Sequence, residues 1–409
     1  MKSANIIIIG GGAAGLMAAA RLAGTSHRVV VMEKRERLGR KLLITGKGRC
    51  NLTNMRPWNE FQEHIHPDAG FLKNAFYAFD NRKVVEFLQG HGLETKVERG
   101  ERVFPVSDRS ADVLNTLESI ARQGGVELLT EMSVQDLRPR AGGEGFVLEV
   151  ETPAGEERWE ADQVLVATGG LSYPTTGSTG DGYRWAEQMN HPLVPCFPAI
   201  TAIRPQQMDL ELEGLLLTHI RMDLYIGGSL VQQEEGEFSF TELGMEGGVA
   251  FRLSRRAVWA LVNGEKVKVV VDLKPGLTQD QLFARIRREK LSQPKLSVRD
   301  LLRKMLPKQL VAPFLKAHPN LREEKIPAAL KHWEFPIAEY GSYARAVVTA
   351  GGVSVKSLSR KTLESKLHPG LYFIGEVLDL DGDTGGYNLQ IAFSTAALAA
   401  EAALKKQSR

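Results

Sequence analysis

The chain has 409 residues, 43% of them hydrophobic and 25% charged, enough for two or three domains with substantial cores. With 52 Lys and Arg against 49 Asp and Glu the net charge is only +3, so the composition taken whole argues against a nucleic-acid partner. Two cysteines, Cys50 and Cys196, and no apolar run of the ~20 residues a membrane span needs lead to the expectation of a cytoplasmic protein without a membrane partner.

Residues 6–9 form a continuous β-branched run, the pattern of a strand buried on both faces of a parallel sheet. Gly10-x-Gly12-x-x-Gly15 follows at once, residues 13–22 are strong helix formers, and residues 28–32 make a second strand that ends in Glu33. Gly10 permits the tight turn, Gly12 lets a diphosphate approach the backbone, and Gly15 allows close packing of helix on strand. Ala13 and Ala14 open the helix, whose free N–H groups and positive dipole end suit phosphate. The Glu33 carboxylate, with Lys34 beside it, is placed to accept ribose hydroxyls and disfavours a 2′-phosphate. Strand, turn, helix, strand and acid agree on a dinucleotide site.

Next come Gly39-Arg40-Lys41, Thr45 and the string GKGRCNLTN over 46–54, with Gly46, Gly48, Arg49, Cys50 and Asn51. A polar loop so rich in glycine and cations suits a phosphate and a polar ring system. Helices are predicted over 81–91 and 110–123, a strand pair over 97–106, and a strand over 126–129. A meander follows at 132–137, which includes the candidate cofactor residue Val134, and at 146–151, then Trp159. A buried strand over 163–167 enters Thr168-Gly169-Gly170.

From about residue 192 the pattern turns antiparallel, with strands at 201–204, 221–226, 230–233, 238–240 and 266–273 and a hairpin at Gly227-Gly228. Residues 276–333 carry helical periodicity with Pro punctuation, and strand pattern returns at 344–349. The predicted fold is α/β. A Rossmann-type FAD-binding domain (1–191 and 351–409) is interrupted by an antiparallel β-rich domain (192–275 and 334–350) carrying a small helical subdomain (276–333). Basic clusters at 252–256 and 285–290 read as solvated helix faces, and His64 and His66 as a surface pair.

The C-terminal stretch chooses the cofactor. An apolar strand at 371–374 leads into Gly375-Glu376, an acidic turn containing Asp379, and Gly386-Tyr387-Asn388 before a long Ala-rich helix that includes Gln390. A second element of this kind closes over FAD, whereas an NAD site needs none; the glycine-opened helix end suits the flavin edge where negative charge accumulates on reduction.

GKGRCNLTN (46–54), ATGGLSYPTTGSTGDGY (167–183), VTAGGVS (348–354), TLESK (362–366) and GLYFIGEVLDLDGDTGGYNLQ (370–390) together resemble the bacterial BaiN-like (YhiN-like) family of NAD(P)/FAD-dependent oxidoreductases. The resemblance spans the chain and implies a three-part fold, FAD and a redox role, with steroid-ring C=C reduction in one branch. It carries over to the diphosphate turn (Gly10, Gly12, Ala14, Gly15), the ribose acid Glu33, the loop from Arg40 to Asn51, Thr168-Gly169, and the closure from Gly375 to Gln390. One departure stands out: residues 240–251 read FTELGMEGGVAF, with Glu242 where the family has His.

Flavin supplies redox chemistry itself, so the protein's part is position and electrostatics. Candidate catalytic groups are Cys50, whose flanking Lys47 and Arg49 are expected to lower its thiol pKa, and Tyr173 and Tyr387 as proton donors. No CxxC and no second GxGxxG occur, so disulfide chemistry is disfavoured and NAD(P)H is expected as a transient donor; no metal-ligand spacing is seen. The leading expectation is hydride transfer from NAD(P)H through flavin to an unsaturated small molecule. A flavin oxidase or dehydrogenase, an RNA-modifying flavoprotein and a non-catalytic flavin sensor are the alternatives. The pattern carries no signal of oligomeric state.

Overall fold

The computed structural model describes residues 2–407 and divides into two compact units, one formed by the chain up to Cys196 together with the chain from Val347 onward, the other by Phe197–Ala346. The first is built on a seven-stranded sheet. Its centre is β1 (Lys2–Ile9), with β2 (Val29–Met32) parallel on one side and the long strand Gly155–Val166 parallel on the other. Glu127–Leu129 extends it beyond β2, and Leu371–Phe373 pairs parallel with the end of Gly155–Val166. Ile6, Ile7, Ile8 and Val29 to Met32 are almost wholly buried, which explains why these runs show no alternation: helices cover both faces.

Helix α1 (Ala13–Leu22) packs against the C-terminal helix Tyr387–Gln407 and the helix Ser110–Gln123. Ala18, Ala19, Ala396, Ala399 and Ala400 are buried, and such small side chains allow two helices to lie close together.

The meander differs from expectation in one respect. Trp159 and residues 163–166 belong to one strand, Gly155–Val166, whose first half pairs antiparallel with Phe146–Thr152 while its second half lies between parallel strands. Its early polar residues alternate, and its later ones do not, because the two halves have different neighbours. Gln163 survives in the buried half because it donates to the Ala403 carbonyl and accepts from the Tyr372 hydroxyl.

The second unit is a closed antiparallel barrel of six strands: Ile203–Pro205, Gly244–Glu246, Ser229–Thr241, Leu216–Ile226, Val267–Asp272 and Trp333–Tyr340. The hairpin turns at Gly227-Gly228, where both residues have positive φ. Residues 230–233 and 238–240, expected as two strands, are parts of Ser229–Thr241.

The strand expected at 344–349 runs instead as Val348–Val353, and the part of the expected β-rich domain before it forms the strand Trp333–Tyr340, which alternates inward and outward with Pro336 on an outward position. Pro336 keeps its carbonyl, which accepts from Gln206 N–H. The helices Gln279–Ser292, Val298–Arg303, Lys308–Ala317 and Ile326–Lys331 bury Leu282, Leu302, Phe314 and Leu330 in the same core as Phe240 and Trp333 of the barrel. No described helix is long and apolar enough to cross a membrane.

Candidate functional site

The first unit contains a cavity over the end of its sheet, lined by the turn from β1 into α1, the end of β2, residues 39–45, and residues 374–392 of the C-terminal element. Gly10, Gly12, Ala13, Ala14, Glu33, Lys34, Arg40, Lys41, Thr45, Val134, Thr168, Gly169, Glu376 and Asn388 all line it. Residues from opposite ends of the sequence therefore meet at one place, because the C-terminal strand returns beside the sheet's centre.

The glycines of the turn divide into two roles. A Cβ on Gly15 would lie 1.9 Å from the Gly10 carbonyl oxygen, and one on Gly10 would lie 2.5 Å from that of Ala167. A Cβ on Gly12 would meet nothing within 4 Å, and no side chain caps the helix it begins. Gly12 thus presents bare backbone and a helix N-terminus to the cavity, the surface a diphosphate requires.

At one end, Glu33 accepts from the N–H groups of Gly11 and Arg35, both at 2.9 Å. Burial raises its pKa, against the lowering from those two donors. Lys34 pairs with Asp181 across the cavity wall. Thr168 Oγ1 and the Trp185 indole Nε1 are buried without a hydrogen-bond partner in the protein, although both residues line the cavity. Unpaired buried polar atoms are costly, and a polar ligand such as the adenosine half of FAD would satisfy them. The open backbone at Gly12, the Glu33 carboxylate and these two orphaned groups fit the cofactor.

Further along the cavity wall, Lys41 Nζ contacts both Glu376 oxygens at 2.9 and 2.7 Å, and Glu376 also accepts from Thr349 N–H at 2.9 Å. Asn388 lines the same wall and is anchored by paired hydrogen bonds with the Gly382 backbone.

Other sequence candidates lie elsewhere. Gly15, Gly46, Gly48, Arg49, Cys50, Asn51, Gly375, Asp379, Gly386, Tyr387 and Gln390 do not line the cavity, nor does Tyr173. Several support it from behind: Thr53 donates to Gln390 at 2.6 Å, Asn54 donates to the Gly385 carbonyl, and a Cβ on Gly386 would strike the Thr53 backbone. Arg49 is engaged by Glu98 and Asp108.

The expected activation of Cys50 is corrected. Its side chain is fully buried and burial pushes the thiol up to about 12, while Arg49 points to its acidic partners. Tyr387 is also corrected as a proton donor: it is packed between Phe61 and His64, and burial raises its phenol. His64 and His66 are not a free surface pair. Both rings bond Asp383, at 2.8 and 3.1 Å. Burial would raise that carboxyl, but the two imidazoles override it and hold it at about 2.

Among the lining residues that the sequence pattern left unmarked are Asp181, Ser178 and Trp185, which reach the cavity from the string 167–183 and the helix it opens. The signal was present in that glycine-rich string; Trp185 was hidden because an aromatic on an amphipathic helix reads as core.

Comparison with known proteins agrees with this geometry. The family model described as "HI0933-like protein Rossmann domain" matches residues 4–402. A 3-dehydro-bile acid delta(4,6)-reductase of Clostridium scindens is 33% identical over 416 residues, covering 98% of this chain and 99% of that protein. A ribosomal RNA dihydrouridine synthase of Haemophilus influenzae is 31% identical over 404 residues, covering 95% and 96%. Among solved structures, a 3-ketosteroid-delta4-(5alpha)-dehydrogenase from Rhodococcus jostii RHA1 superposes with a TM-score of 0.56 at 16% identity, covering 98% and 97%, a likeness of fold. The chain belongs to the HI0933-like Rossmann family and is an FAD-dependent oxidoreductase.

Proposed function

We propose that this protein reduces a carbon–carbon double bond conjugated to a ring carbonyl, with NADH or NADPH as a transient donor. The observation that carries the reading is the charged pair Lys41–Glu376 on the wall of the cavity, fixed by Thr349 N–H. FAD, when bound, supplies the two-electron acceptor and donor of the reaction. Lys41 Nζ provides a preorganised positive charge in a partly buried wall, where it favours the uptake of an electron pair. Glu376 keeps that ammonium in one position. Among the described residues lining the cavity there is no Tyr, His or Cys, so no side chain of these three types on that wall supplies the proton that completes the reduction.

Two relatives that align over nearly the full chain support the same chemistry on different substrates. A delta(4,6)-reductase and an enzyme that makes dihydrouridine both, by name, add hydrogen to a ring double bond. The first unit, with FAD held along Gly10 to Ala14, Glu33, Thr168 and Asn388, performs the common step. Both cysteines are free, which supports a reducing, cytoplasmic setting.

Anaerobic stopped-flow mixing tests this. NADPH or NADH should bleach the flavin, and a cyclic enone such as a 4-ene-3-ketosteroid or 5,6-unsaturated uracil nucleotide should restore it faster than buffer does. A flavin that neither nicotinamide reduces would refute the reductase reading, and rapid recovery with oxygen alone would favour an oxidase.

A further inference from the structure

The net charge of +3 conceals a strong division. Residues 274–331 hold fourteen Lys and Arg against five Asp and Glu, leaving 38 against 44 in the rest of the chain. One short stretch is strongly cationic and the remainder is anionic. A chain-wide average cannot show this, and it removes the argument from net charge against a polyanionic partner.

The placement of these charges matters more than their number. On the helix Gln279–Ser292, Leu282 and Ile286 turn into the core, whereas Phe283, Arg287 and Leu291 follow at four-residue spacing on the exposed side. Phe283 is 46% exposed and Leu291 78%. Arg288 flanks them, and Lys295 and Arg299 continue the exposed cations into the next turn and helix. Among the described residues, Arg287, Arg288, Lys295 and Arg299 make no ion pair, unlike Lys304, which pairs with Glu289 at 2.7 Å, and Lys290, which pairs with Glu323 at 2.7 Å. Arg285 donates to the Lys304 carbonyl, so the two helices lie side by side.

We infer that this helical face docks RNA. Free guanidinium groups suit phosphate, and an exposed aromatic between arginines is a platform on which an unpaired base stacks. A lipid surface fits less well: the apolar face a membrane helix needs is already buried here in the protein core, leaving two separated apolar side chains outside. RNA recruited in this way would offer uracil rings as the double bond to reduce, and only that consequence rests on the reductase reading above.

The test is equilibrium binding to the purified flavoprotein, independent of turnover. A fluorescein-labelled uridine-rich stem–loop RNA should bind with affinity that falls steeply with salt. R287E/R288E should weaken it on the order of tenfold or more and flatten the salt slope by about 0.7 for each phosphate no longer neutralised. K295E/R299E, on a different element, should act in the same direction, and F283A should weaken binding with the salt slope unchanged. Flavin content and the rate of bleaching by NADPH should be those of the unaltered protein in every variant. Equal RNA affinity in R287E/R288E and the unaltered protein would overturn the inference. So would binding to phosphatidylglycerol vesicles, lost in F283A, in the absence of RNA binding. Failure of the reductase reading would instead show as flavin that nicotinamide does not bleach, with RNA binding intact.

Discussion

In the first unit three of the four cations that line the cavity are tied down, Arg37 being the exception with no ion pair among the described residues. Lys34 sits on Asp181, Lys41 on Glu376 and Arg40 on Glu36. In the second unit the exposed Arg287, Arg288, Lys295 and Arg299 make no ion pair among the described residues. Paired charge holds a wall in one shape and adds little attraction for a distant anion. Unpaired charge does the reverse, steering a partner without fixing a geometry. The difference teaches that one unit is organised for close placement of a cofactor, and the other for capture of something large.

Five substitutions probe that contrast within the first unit, whose placement should be intolerant of small alterations that the helical face would absorb. The largest effect belongs to Gly15→Ala, whose methyl group would enter the Gly10 carbonyl at 1.9 Å. It should cost ~3 kcal/mol or more in urea unfolding and leave little bound flavin. Gly12→Ala is its counterpart: the added carbon meets nothing, so apoprotein stability should hold while FAD affinity drops, read by flavin fluorescence titration. Equal loss of stability in both would break the division of roles between the two glycines.

A second effect is acid sensitivity. His191 is buried between Ser357 and Ser365, and burial together with neighbouring His368 pushes it down to about 4. Unfolded, it titrates near 6.5. The unfolded chain therefore takes up a proton first, so this contribution is complete above about pH 6.5 and is lost as pH falls toward 4, by ~3 kcal/mol at most. The melting temperature should decline across that window, and His191→Gln should flatten the decline.

Third, Lys41→Met leaves Glu376 without its cation in a wall where both side chains are about a fifth exposed. It should destabilise by ~1–2 kcal/mol and slow flavin reduction, with K41M/E376Q recovering the stability but not the rate. The smallest effect is Trp185→Phe, which keeps an aromatic ring and removes the orphaned N–H. FAD should bind several-fold more weakly, about 1 kcal/mol, with the melting temperature of the apoprotein unchanged.

Much of the fold was legible because local pattern and tertiary setting agreed. Ala13–Leu22 and Ser110–Gln123 fall where periodicity put them, and the β-branched runs of β1 and β2 are buried on both faces. Legibility failed where one strand serves two environments, as in Gly155–Val166. For the site, residues tied to a backbone requirement were readable: Gly10, Gly12 and Glu33 each answer a constraint of the turn. Cys50 was misread because adjacent cations in sequence need not be adjacent in space; its thiol points into the core while Arg49 reaches Glu98 and Asp108. The docking face was obscured by averaging, since a nearly neutral total is compatible with two oppositely charged regions.

Trp185 has one further consequence. The chain has five tryptophans, and this one lines the wall of the dinucleotide cavity with almost no exposure to solvent. An indole in that position emits in the range where oxidised flavin absorbs, so its fluorescence reports occupancy and redox state of the cavity through energy transfer. The protein thereby contains its own optical gauge, readable during purification, titration or turnover without any label attached.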